Sequence, residues 1–208
     1  MNPEDAVPGP GLIRTLSALD SVYLLYVVTG RSLQEITSFL GRDLNIIALH
    51  GALTLTSSGI RYNVLNFSHY EKLCDDIFSN REEYLAEFPG LRIYNKQGNV
   101  LFHFGLMDPG YKERLFNLVN SLSSRAGMPV YEGKRIIELR IPDINKGIAI
   151  RQYSEGKKKL IAGDDRTDEE AFMENPDAIT IHVGPGESIS RYRIPDFSEM
   201  LRFLEQLL

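Results

Sequence analysis

Apolar positions in this chain fall into runs of two periods, and the runs mark out its elements. VYLLYVV, Val22 to Val28, is continuously apolar and rich in β-branched residues, which predicts a strand buried on both faces, as in a parallel sheet. Ser32 with Glu35 forms a capping box, so a helix is expected to about Leu40, where Gly41 stops it. Asn45 to Leu49 (NIIAL) repeats the buried-strand pattern and runs into His50-Gly51-Ala52. Strand, helix, strand is a βαβ unit, whose connection should be right-handed. Upstream, MNPEDAVPGPG (Met1 to Gly11) combines prolines and glycines that sustain neither a helix nor a central strand. It reads as a loop, followed by a short helix from Leu12 to about Ser21.

The pattern then changes. Leu53 to Leu65 alternates around Ser57-Ser58-Gly59, the signature of a hairpin. A single long helix is expected from Ser68 to Phe88, ended by Pro89-Gly90. Strands follow at Leu91 to Tyr94 and Val100 to Phe104, then a helix from Pro109 to Arg125 closed by Gly127. Two more strands come at Met128 to Glu132 and Arg135 to Arg140. Strands, helix, strands without a βαβ rhythm predict a separate antiparallel α+β unit. After Pro142 the α/β rhythm returns. A helix is expected at Lys146 to Tyr153, a strand at Lys159 to Ala162, and a helix from a Thr167–Glu170 capping box to Glu174. A strand at Ala178 to Val183 and a terminal helix at Ser198 to Leu208 complete the chain. The reading is an α/β core, residues 1–65 and 143–208, interrupted by an inserted α+β unit at 66–142.

Composition narrows the function classes. Hydrophobic residues make up 43% and charged residues 25% of 208, which excludes wholesale disorder. With 23 basic against 28 acidic residues, net charge −5, the chain is not a dedicated nucleic-acid binder. Cys74 is the single cysteine, so an intrachain disulfide and a thiolate zinc cluster are ruled out. No apolar run approaches the ~20 residues of a membrane span, and no signal-peptide layout opens the chain. A cytoplasmic, reduced setting is expected. With no heptad seam, a monomer is expected too.

Ligands of open α/β sheets bind beyond the carboxyl ends of the strands. Thr29-Gly30-Arg31, His50-Gly51 and Gly163-Asp164-Asp165-Arg166-Thr167-Asp168 fall there. Asp164, Asp165 and Asp168 crowd like charges at one strand end, which a hard divalent cation such as Mg²⁺ relieves. Complementing the helix dipole accounts equally well for Asp168, Glu169 and Glu170, but not for Asp164 and Asp165, which precede the cap. Thr29 offers a hydroxyl and, with Gly30, N–H groups to an anion; a plain strand-to-helix turn has the same composition. Lys146 lies in the first turn of its helix, where the dipole disfavours a cation. An anionic ligand or the carboxylate cluster explains it, as does a solvated position. His50, His69, His103 and His182 lack metal-ligand spacing.

VVTGR, the lysine of NKG and GDDRTDEEAF, in this order, resemble the haloacid-dehalogenase superfamily. LHGA, GKRIIELR before NKG, and the GDDRTDE form are similar to the trehalose-6-phosphate phosphatases within it. The resemblance implies a Rossmann-like haloacid-dehalogenase core with an inserted α+β cap, and Mg²⁺-dependent hydrolysis of a small-molecule sugar phosphate. It implies that Thr29 binds phosphate, Lys146 steadies the phosphoryl group, and Asp164 and Asp168 serve the metal, Asp168 from behind. Gly30, Arg31 and His50 would line the substrate site, and Lys134, Glu138 and Arg140 would reach the sugar hydroxyls. Leu49 stands where many members carry a glutamate.

The family's first motif, an apolar strand ending in DxDGT, is not found in these residues. In the family its first aspartate is the nucleophile and its second the general acid/base. The expectation is therefore that Met1 is an internal methionine, that the functional protein begins upstream, and that the 208 residues alone are inactive. Two alternatives remain open: a phosphatase for sucrose, mannosylglycerate or another sugar phosphate, and a sugar-phosphate binder without turnover.

Overall fold

The computed structural model of the chain describes residues 8–208; the expected opening loop lies outside them as far as Val7. In chain order the first segment forms α1 (Pro10–Asp20), β1 (Val27–Val28), α2 (Leu33–Leu40), β2 (Ile46–Ala48), β3 (Leu53–Thr56) and β4 (Gly59–Tyr62). The middle forms α3 (Phe67–Ser79), α4 (Arg81–Glu87), β5 (Arg92–Asn95), β6 (Val100–His103), α5 (Lys112–Ala126), β7 (Val130–Gly133) and β8 (Ile136–Leu139). The last part forms α6 (Lys146–Tyr153), β9 (Leu160–Gly163), α7 (Arg166–Glu174), β10 (Ile179–Val183), β11 (Tyr192–Ile194) and α8 (Phe197–Glu205). The elements divide into two compact units. One combines the described part of the segment ending at Asn63 with Ile144–Leu208; the other is Val64–Asp143.

In the first unit β1 pairs parallel with β2, and β3 and β4 continue antiparallel, in the order β1-β2-β3-β4. A second sheet, β9-β10-β11, is wholly parallel. Ile161 of β9 is buried with Phe172 of α7 and Ala178, with Ile150 of α6 packed against them. β11 escapes the sequence pattern because only three residues pair, between polar flanks.

The strand expected over Val22 to Val28 is reduced to its last two residues. Val22, Tyr23 and Leu24 are 62%, 50% and 54% exposed. A run apolar on both faces needs cover on both, and these exposed residues have none; only Val27 and Val28 pair, with β2. Among the described residues β1 pairs with β2 alone and β9 with β10 alone. Each therefore keeps one unpaired backbone edge.

In the second unit the sheet runs β5-β6-β8-β7, antiparallel throughout. Strand alternation sends Ile137 and Leu139 into a core with Val100, Phe102, Leu115 and Val119. Each such side chain contributes ~1.5–3 kcal/mol by burial. Glu138, between the two, points to the opposite face.

Three helix expectations are corrected. The long helix over Ser68 to Phe88 is two helices parted at Asn80. The Asn80 amide and the Ser79 hydroxyl both donate to the Asp76 carbonyl, satisfying locally the acceptor that a further turn would use. α1 begins at Pro10 rather than Leu12, since proline at the first helical position loses no hydrogen bond. α7 is capped not by Thr167 but by Asp165. Its carboxylate accepts from the N–H groups of Thr167 and Asp168, while the Asp168 carboxylate accepts from the Asp165 N–H. The Ser32 cap forms, accepting from the Glu35 N–H. Its reciprocal half does not, because the Glu35 carboxylate pairs with Arg31.

Candidate active site

The carboxyl ends of β1 and β2 are joined through their loops. The Thr29 N–H donates to the Ile47 carbonyl at 2.8 Å and the Thr29 carbonyl accepts from the His50 N–H at 2.9 Å. The Thr29 hydroxyl oxygen accepts from the Arg31 N–H at 3.1 Å, making a tight turn. Leu49, His50 and Gly51 all have positive φ, of 50°, 55° and 113°. This folds the His50 ring, buried at 8% exposure, over Gly30. A Cβ on Gly30 would lie 2.3 Å from two ring atoms of His50. Gly30→Ala is therefore expected to cost ~1–3 kcal/mol, measured by thermal denaturation, with the His50 ring resonances displaced. Gly51 likewise approaches α6: a Cβ there would sit 2.6 Å from the Asn145 carbonyl oxygen.

Asn145 caps α6 by accepting from the Ile148 N–H, and Lys146 follows as its first helical residue. The Lys146 side chain is only 8% exposed, with Nζ 2.8 Å from Asp168 Oδ1 and 3.7 Å from Asp165 Oδ1. The carboxylate cluster, not solvent, explains this cation at a helix start. Asp168 Oδ2 accepts from the N–H groups of Asp164 and Asp165 at 2.9 and 3.2 Å, so both its oxygens are committed. Gly163 leaves room for this carboxylate, since a Cβ there would fall 2.1 Å from Asp168 Cγ.

Asp164 and Asp165 are shifted in opposite directions. Burial works to raise the Asp165 carboxyl, but Lys146 and the hydrogen bonds from Thr167 and Asp168 overcome it and hold it below the ordinary range. Asp164 is pushed up, first by burial, then by the Asp168 and Asp165 charges, with Lys146 offsetting only in part. A raised folded pKa means that ionised Asp164 disfavours the fold. Its contribution is most favourable below the unfolded value of ~3.9 and is lost as pH rises through the folded one. Asp164→Asn should therefore raise Tm at pH 7 and leave it unchanged at pH 3, compared by melts at the two values.

In the second unit Glu138 is 1% exposed. Lys96 Nζ donates to one of its oxygens at 2.9 Å and Arg140 Nε to the other at 2.7 Å. The Arg140 guanidinium lies over the Tyr131 ring, 3.4 Å from its centroid. Lys134 is exposed in the β7–β8 turn, next to Arg135 at φ 64°. The structure thus gathers the expected residues into groups: Thr29, Gly30, Arg31 and His50; Lys146 with Asp164 and Asp168; and Glu138 with Arg140. Lys96 was not singled out, because a lysine in the polar turn Asn95–Asn99 carries no pattern. Asp165 as helix cap was readable from the Asp165–Asp168 spacing.

Among the described residues no group of three His, Cys, Asp or Glu side chains is disposed to hold a metal ion. Among the described residues, Asp165 is tied to Thr167 and Asp168 to Lys146 through their side chains, and Asp164 to none. A magnesium site using one or two carboxylates, completed by substrate phosphate and water, fits that donor set.

An α/β core with an inserted α+β unit, and a lysine held by aspartates beyond parallel strands, define a haloacid-dehalogenase-type fold. The chain belongs to the trehalose-phosphatase family, whose profile matches residues 1–190. It is 41% identical over 210 residues to a trehalose-6-phosphate phosphatase-related protein of Thermoplasma acidophilum, covering all of this chain and 91% of the relative. A bifunctional trehalose-6-phosphate synthase/phosphatase of Thermoproteus tenax is 28% identical over 99% of this chain, which spans 29% of that protein. The crystal structure of a trehalose-6-phosphate phosphatase related protein superimposes with a TM-score of 0.94 at 40% identity, over all of this chain and 90% of the other. The C-terminal domain of the Candida albicans trehalose-6-phosphate phosphatase shares the fold, with a TM-score of 0.79 at 20% identity, over all of this chain and 86% of that one.

Proposed function

We propose that this protein is a Mg²⁺-dependent phosphatase that hydrolyses trehalose 6-phosphate to trehalose. Family membership supports a sugar-phosphate phosphatase. The observation that carries the chemistry is Lys146, a buried ammonium at a helix start held 2.8 Å from Asp168. Thr29 accepts from the Arg31 N–H through its hydroxyl oxygen, which leaves the hydroxyl proton to donate to a phosphate oxygen. Lys146 would neutralise charge spread over the phosphoryl group. Asp164 would hold Mg²⁺, and Asp168 would fix the turn that carries Asp164. When bound, the ion would supply further neutralisation of the phosphoryl oxygens. Gly30, Arg31 and His50 would shape the phosphate side of the site.

The nucleophile would come from an aspartate outside these 208 residues, on a strand pairing with the open edges of β1 and β9. Its carboxylate oxygen would attack phosphorus and break the bond to the sugar oxygen, which takes up a proton from the general acid. Water would then attack the aspartyl phosphate and release inorganic phosphate. A cytoplasmic setting and a monomer complete the proposal. Among the described residues no helix is long and apolar enough to cross a membrane. Burial pushes the Cys74 thiol up to about 12, leaving it unreactive.

The substrate is tested, on a form extended upstream through an in-frame DxDGT, by phosphate release across trehalose, sucrose, mannosylglycerate and glucose phosphates, each with Mg²⁺ and with EDTA. Preference for trehalose 6-phosphate and loss of turnover in EDTA are expected. Equal turnover of all four would overturn the substrate, and indifference to EDTA would overturn the metal.

A further inference from the structure

We infer that Asn63 and Tyr153 form a positioning pair that sets the loop before α6, and hence Lys146, against the phosphate-binding loops. The pair ties together three segments. The Asn63 side-chain amide donates to the Gly51 carbonyl at 2.7 Å and to the Thr54 hydroxyl at 2.8 Å. Its carbonyl oxygen accepts from the Tyr153 hydroxyl at 2.8 Å, and its backbone N–H donates to the Ala52 carbonyl at 2.8 Å. Every polar group of this side chain is thus used within one unit, at the last residue before the chain passes into the other.

Tyr153 ends the helix that Lys146 begins. Its ring packs, tilted by 45° with centroids 5.5 Å apart, against Tyr26, the residue before β1, which leads to Thr29. Its hydroxyl reaches Asn63, which holds the Gly51 carbonyl. At the other end of α6 the Asn145 carbonyl lies against Gly51, so closely that a Cβ would not fit. The helix is therefore registered at both ends against the chain that carries Thr29, His50 and Gly51. A half-buried asparagine in a hairpin exit gains nothing for burial. A fully satisfied polar network instead fixes one arrangement of its members.

This inference rests on the proposed phosphate site. The test uses the chain as it stands, with inorganic phosphate and Mg²⁺ as the probe. Affinity is read from amide shifts of Thr29, Gly30 and Lys146, and folding from thermal melts. Tyr153→Phe keeps the ring and removes only the hydroxyl; it should weaken phosphate binding about threefold to tenfold. In a Lys146→Ala background the same change should weaken it less than about twofold, because Tyr153 acts through Lys146. Asn63→Asp, which retains the acceptor for Tyr153 but loses the donors to Gly51 and Thr54, should reproduce the pattern. An unchanged affinity in Tyr153→Phe, or an equal loss in both backgrounds, overturns the positioning role while the phosphate site stands. Absence of phosphate shifts in the unsubstituted chain overturns the site and the pair together.

Discussion

Replacing Lys146 with alanine should lower stability at pH 7 by ~3–5 kcal/mol, the cost of removing one partner from a buried ion pair. Lys146 and Asp168 side chains are 8% and 15% exposed, so water compensates little. Two backbone N–H groups still reach Asp168, and this keeps the loss from running higher. The pH dependence is distinctive. Lys146 is the largest attraction holding the Asp165 carboxyl down, against burial. A depressed folded pKa contributes stability that is present above the unfolded value of ~3.9 and is lost as pH falls through the folded one. The Tm difference between the two proteins should therefore be widest near neutrality and narrow below pH ~4. Melts from pH 3 to 8 measure it; a constant difference would show that Lys146 stabilises by packing alone.

Glu138→Ala should be as damaging, in the other unit. The carboxylate is 1% exposed, and its partners Lys96 and Arg140 are 19% and 14% exposed. Truncation leaves two cations facing one another without their anion, at ~3–5 kcal/mol. Glu138→Gln keeps an acceptor for one cation and should recover part of that loss. Local reporting is available from hydrogen exchange at Leu101, which faces Glu138 across the sheet, and at Ile137. Because the group is buried, added salt should change the effect little. A loss that vanishes at high salt would assign the triad to the surface.

The fold was legible wherever a residue's own neighbours in sequence decide its state. α6 was bounded correctly at Lys146 and Tyr153, because Asn145 is a local cap. The β3–β4 hairpin followed from Ser58-Gly59 in the same way. Val22 to Val28 failed because an apolar run records what a strand could bury and not what covers it, and Val22, Tyr23 and Leu24 lie exposed. The long helix failed at Asn80, where two side chains compete for one carbonyl. Of the site, the Asp164–Asp168 turn was legible because crowding carboxylates before a helix is costly without a purpose. Lys96 and Asn63 were not, since each acquires its role from residues 42 and 90 positions away. No local pattern encodes such pairings.

The proposed reaction is hydrolysis of trehalose 6-phosphate. It is tested most directly by phosphate release in Mg²⁺, comparing these 208 residues with a form extended upstream through any in-frame DxDGT. Turnover is expected in the extended form and none in the shorter one, with Lys146→Ala abolishing it. Turnover by the 208 residues alone would contradict the external nucleophile, and silence in a folded extended form would contradict hydrolysis of trehalose 6-phosphate.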